Sequence, residues 1–151
     1  MLPDAVDNLG EEQKRLYISV LALICSADGE LVREEVSALE QAMGRALVHP
    51  ESRSQMRQLL ANPPNRDDLL GRLDEATARL TLRDGFLIAA CDGDYDEKEL
   101  SILAEVHKKS GLDEIVIDQL IEWVSTQWRQ SAHGRELVSS PIQGDESVLD
   151  N

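Results

Sequence analysis

Ala27-Asp28-Gly29-Glu30 and Cys91-Asp92-Gly93-Asp94 are the stretches whose reading decides the fold. The acidic Asp-Gly corner recurs 64 residues on (28 against 92), and the register holds without a gap. Leu16, Leu23, Ile24, Glu35, Ser37, Leu39 and Gln55 return as Leu80, Leu87, Ile88, Glu99, Ser101, Leu103 and Gln119. Ile18 answers to Leu82, Val36 to Leu100 and Met56 to Leu120. A period this long exceeds that of a solenoid unit. It predicts one helical half duplicated, over about 11–61 and 66–130, with the two halves packed on each other.

Outside the corners, apolar residues recur at helical spacing. Leu16, Val20, Leu23, Ile24 and Ala27 fall on one face of a first helix from about Glu11 to Ala27. Gly29 suits the left-handed position that closes it. A second helix runs from about Arg33 to Leu47, and Pro50 opens a third. Asn62-Pro63-Pro64-Asn65 separates the halves. Asn65 caps a fourth helix whose buried side is Leu69, Leu73, Ala76 and Leu80. Thr81 followed by Asp84 reads as the start of a short fifth helix through Cys91, expected to be the most buried element. Asp96 and Glu99 cap a sixth, which ends on Lys108, Lys109 and Gly111. Asp113 caps a seventh, to about Arg129. Ile117, Leu120, Ile121, Val124 and Trp128 form its inner face, and Trp123 is expected to be buried as well. No segment alternates as a half-buried strand would. The predicted class is all-α: one bundle of about seven helices over 1–138, then a disordered acidic tail over 139–151.

Composition narrows the function. With one Phe, two Tyr and two Trp, the core falls to Leu, Ile, Val and Ala, which favours helices. Fifteen basic residues against 29 acidic ones give a net charge of −14. Such a surface repels nucleic acid and anionic membranes, and attracts cations or basic partners. Cys25 and Cys91 form no CxxC pair, which excludes a zinc knuckle, and they read as small packing residues. The uncharged run Ile18 to Ala27 is too short to cross a bilayer, and no basic leader precedes it. The expectation is a cytoplasmic, reduced protein with no direct membrane insertion. His107 lies on an apolar stripe and reads as a core or boundary residue. No Ser/His/Asp arrangement, phosphate loop or H-E-x-x-H is present, so the chain is read as non-enzymatic.

The corners hold the candidate site. Each places a Glu seven residues after its Asp: Asp28 with Glu35, and Asp92 with Glu99. One reading is turn chemistry, with each Glu favoured in the first turn of a helix. Two details favour a cation instead. Asp at a helix C-terminus meets the negative end of the dipole, and both halves put it there. Val32 cannot cap, yet Glu35 follows it. Oxygen-only ligands would select Mg²⁺, Ca²⁺ or Mn²⁺. Glu30 and Asp94, after the glycines, are second-tier ligands. An EF-hand over Asp92 to Leu103 fails, because Glu97 stands where Gly is required and Leu103 where Glu is.

The phrases "ADGELVREEV" (27–36) and "CDGDYDEKEL" (91–100), each after an apolar helix, resemble the TerB-like family of tellurite-resistance proteins. The likeness covers about Leu16 to Trp128. It implies a compact all-helical bundle of two similar halves, a domain also found at the N-terminus of a membrane-anchored DnaJ-type co-chaperone. It further implies a cytoplasmic stress-response role, metal binding through acidic residues, and protein partners that include membrane-associated ones. Carried over by position, the metal residues are Asp28, Glu35, Asp92 and Glu99. The departure at Val32-Arg33, where a Ser or Asp cap is usual, sets the first corner apart. Two rival functions follow from the same acids: a hydrolase using carboxylate-bound Mg²⁺ or Mn²⁺, and a metal-free adaptor that docks a basic partner.

Overall fold

The computed structural model describes residues 4–27, 29, 32–46, 49–91 and 95–139. A 3₁₀ turn over Ala5–Asn8 precedes seven helices. They are α1 (Glu11–Cys25), α2 (Arg33–Arg45), α3 (Pro50–Ala61), α4 (Arg66–Gly71), α5 (Glu75–Ala89), α6 (Glu97–Ser110) and α7 (Glu114–Ser139). No strand occurs among the described residues, so the chain is all-α as expected.

Local chemistry sets most of the boundaries. The Asp4 side chain caps the opening turn at the Val6 N–H. Pro50 opens α3 behind His49, whose ring nitrogen accepts from the Glu51 N–H. Asn65 caps α4 at the Asp68 N–H, 3.1 Å away, and Asp96 caps α6 at the Lys98 N–H, 2.8 Å. Asp113 accepts from the Val116 N–H at 3.0 Å at the head of α7. Gly29 (φ 79°) and Gly111 (φ 69°) hold left-handed positions, where a side chain would clash with its own backbone.

Three boundaries differ from the sequence reading. The fourth helix stops at Gly71, and Leu73 lies buried in the link after it. Asp74 then accepts from the Thr77 N–H at 2.8 Å and starts α5 six residues before Thr81. That cap outcompetes the Thr81–Asp84 pattern and puts Thr81 and Asp84 inside α5, where both are buried. The seventh helix continues ten residues past Arg129 to Ser139, since neither Gly nor Pro ends it sooner than Gly134 and the chain tolerates that glycine in helical geometry. The tail expected from Ser139 therefore begins with a helical residue, and 140–151 lie outside the described residues.

α1 and α5 form the centre. α5 packs on α1 and α6 and touches α2 and α7, while α1 also meets α2, α3, α4 and α6. In α1 the nine residues from Tyr17 to Cys25 are all buried, which explains a run apolar on every face. α1 thus shares the role expected of the fifth helix alone. The glycine at 85 permits this crossing. A Cβ there would lie 2.8 Å from Leu103 Cδ2 and 2.9 Å from Ile24 Cδ1, inside contact distance of both neighbouring helices. Trp128 sits half-buried on α7 and donates its indole N–H to the Leu87 carbonyl at 2.7 Å. Trp123, expected inside, is 38% exposed, because Ile117 and Val124 rather than Trp123 define the buried stripe of α7.

Candidate functional site

Glu35 and Glu99 are the two candidate ligands that the structure describes. Each is the third residue of its helix, α2 or α6. The first turn of a helix favours a carboxylate through its exposed N–H groups and dipole. Surface capping acids normally keep contact with water, whereas these two are buried, at 2% and 3% exposure. Val32 makes no side-chain cap, so Glu35 holds this position without the Asp that precedes Glu99.

A buried thiol lies beside the first of them, at the start of α2. Cys25, the last residue of α1, is fully buried, and its Sγ lies 3.8 Å from the Glu35 backbone carbonyl. Burial pushes the Cys25 thiol well up from its ordinary value, and the charges of Glu35, Cys91 and Glu99 push it further. Cys25 is therefore a neutral thiol, inert as a nucleophile. α1 packs against both α2 and α6, and through it the two glutamates bear on the same buried thiol. Cys91 is half-buried.

Asp28, Asp92, Glu30 and Asp94 lie outside the described residues. Among the described residues, no group of three His, Cys, Asp or Glu side chains is close enough to hold a metal ion. Glu35 and Glu99 would thus need the corner aspartates to complete a ligand set. Oxygen donors of this kind fit a hard divalent cation. His107 stands apart from this region, half-buried, with Nε2 2.7 Å from the Leu112 carbonyl.

A second polar centre was missed by the sequence reading. Asp84, in the middle of α5, is 2% exposed. It accepts from Arg83 at 2.8 and 3.0 Å and from the buried Tyr17 hydroxyl, and Arg45 approaches to 3.5 Å. Arg83 also bonds Asp4 at 3.0 Å, tying the N-terminal turn to the core. Burial drives the Tyr17 phenol far above its ordinary value, and the adjacent Asp84 charge adds to that. Burial also raises the Asp4 carboxyl, but the Arg83 hydrogen bond and charge outweigh it and the net shift is downward. With its lone pairs occupied by permanent cations and a phenol, Asp84 is a structural clasp and not a free base. The signal was available: an acid and a glycine together inside an apolar helix imply a buried partner and a close helix approach.

No family profile, curated protein or solved structure matches the chain. Among the described residues no helix is long and apolar enough to cross a membrane.

Proposed function

We propose that the chain is a TerB-like, non-enzymatic module of a cytoplasmic stress response, associated with tellurite resistance. In this reading it holds a divalent cation at its Asp-Gly corners and serves as a scaffold for protein partners, membrane-associated ones among them. The observation that carries this reading is the burial of both Glu35 and Glu99, each the third residue of its helix. Burying a carboxylate is costly, and a divalent cation held beside the corners would lower that cost for both. The duplication fits the same picture. Ile18 and Leu82, Leu39 and Leu103, and Glu35 and Glu99 are each matched in burial. The ligand set is Asp28, Glu35, Asp92 and Glu99, with Glu30 and Asp94 behind them.

Thermal melts in EDTA and in Mg²⁺, Ca²⁺, Mn²⁺ or Zn²⁺ test it. A cation at a hundred times its Kd that binds only the folded chain adds about 2.7 kcal/mol. Mg²⁺, Ca²⁺ or Mn²⁺ should raise the melting point of the wild type. Glu35→Gln/Glu99→Gln and Asp28→Asn/Asp92→Asn should abolish the rise. No response to any ion would end the cation reading, and metal-dependent turnover of a phosphoester would favour a hydrolase.

A further inference from the structure

A groove on the opposite character of surface runs between α2 and α7, across the end of α5. Its wider part, about 410 Å³, is lined by Arg33, Cys91, Trp128 and Arg135, with Glu34 at the rim. Past Ala38, Gln41 and Trp128 it narrows to a slot of about 20 Å³ against Arg45 and Asp84, too small for a residue. In a chain of net charge −14, two of the lining cations stand without an ion pair: among the described residues neither Arg33 nor Arg135 has a carboxylate within bonding distance. Its one large apolar side chain, Trp128, is fixed, because its indole N–H donates to the Leu87 carbonyl at 2.7 Å.

We infer that this groove binds an acidic peptide segment of a protein partner, in extended form. Size favours a peptide segment over a small anion, since about 410 Å³ falls in the range of sites that enclose ligands far larger than a single inorganic ion. Spacing sets the motif. Arg135 and Trp128 are seven helical residues apart, roughly 10 Å, or about three residues of extended chain. Acidic side chains pair with Arg33 and Arg135, and an apolar side chain three positions along lies on Trp128. Arg45, already engaged by Asp84, closes the inner end. The groove shares Cys91 with the neighbourhood of the acidic corners, but the inference rests on Arg33, Arg135 and Trp128 and not on a bound cation.

The probe is a fluorescein-labelled hexapeptide with two adjacent glutamates and a leucine three positions on. Anisotropy against the full chain reads affinity. Quenching of Trp128 emission in a Trp123→Phe background reads the location. Arg33→Gln/Arg135→Gln should weaken binding roughly tenfold or more, as loss of charge-assisted pairs does. Glutamine in place of the peptide glutamates should do the same. Arg129→Gln, on an exposed part of α7 with only local hydrogen bonds, should leave affinity within twofold. Circular dichroism checks that each variant stays helical. The inference is overturned if the double variant binds like wild type, if Arg129→Gln weakens binding equally, or if citrate binds as tightly as the peptide and replacing the leucine changes nothing.

Discussion

Removing one oxygen atom, by Tyr17→Phe, isolates the contact that joins α1 to α5. Tyr17 is fully buried and Asp84 2% exposed, so water cannot replace the lost donor. Phenylalanine keeps the ring packing and opens no side-chain-sized cavity. Asp84 retains Arg83 at 2.8 and 3.0 Å and Arg45 at 3.5 Å, so it remains a charged, paired carboxylate. What disappears is a single hydrogen bond to a charged acceptor, which contributes about 1.5–3 kcal/mol. For a chain of this length that corresponds to roughly 4–10 °C in melting temperature. Urea denaturation should show a lower midpoint with an unchanged slope. The pH dependence gives an independent check. The folded phenol ionises above its ordinary value of 10.0, so its contribution is complete below that value and is lost as pH rises beyond it. Wild type should lose stability above about pH 10, and Tyr17→Phe should lose less. A neutral-pH change under about 0.5 kcal/mol would refute the clasp, because it would mean that the hydroxyl is no better placed in the fold than in water.

Other outcomes follow from the same packing. Gly85→Ala should destabilise, since overpacking against Ile24 and Leu103 costs about 1–3 kcal/mol against about 1 kcal/mol gained in helix propensity; Gly134→Ala, with open space around it, should stabilise by up to about 1 kcal/mol in the same thermal melts. Ellman's reagent should titrate one thiol in the native protein, Cys91, and two after denaturation, because Cys25 is buried and held neutral. The Asp74 carboxyl is held below its ordinary value of 3.8 by the Gln13 side chain and the Thr77 N–H, so its contribution is present above that pH and is lost as pH falls through the folded value. Asp74→Asn should keep the cap and neutral-pH stability within about 0.5 kcal/mol, and should reduce the acid-side loss seen in urea titrations between pH 5 and 2.

Helices were legible where a local signal acted alone. Pro50, Asn65, Asp96 and Gly111 each mark a boundary through their own backbone or side-chain chemistry, and the structure uses all of them, whereas α1 ends at Cys25 with Ser26 as its cap and Gly29 takes its left-handed position in the turn beyond. The reading failed where two local signals competed. Asp74 and Thr81 both could start a helix, and the choice rests on Asp74 reaching both the Thr77 N–H and the Gln13 side chain on α1, a contact 61 residues away. The candidate site was legible in the same measure. Spacing singled out Glu35 and Glu99, because a repeat exposes residues kept at matching positions. It could not single out Tyr17 and Asp84, which occupy different places in the two halves and meet only through packing. Trp123 shows a further limit: a large apolar side chain on an amphipathic helix need not face the core when smaller residues already fill it.

Charge allocation joins the two centres to the groove. Most of the chain's arginines with a described partner are tied locally or structurally. Arg83 and Arg45 serve Asp84, Arg57 serves Glu40, Arg79 serves Glu75, and Arg66 holds the Ser101 carbonyl and hydroxyl. Arg15 has no ion pair among the described residues, but its cleft also holds Glu12 and Asp74, which balance it. Arg33 and Arg135 differ because, among the described residues, Glu34 is the one acid that lines their groove. Long-range attraction to the remaining acids already lowers the cost of keeping them there, so fold stability does not require a partner. What the arrangement gains from a bound acidic segment is specificity: the same −14 field that repels acidic chains elsewhere leaves this groove as the place where one can dock.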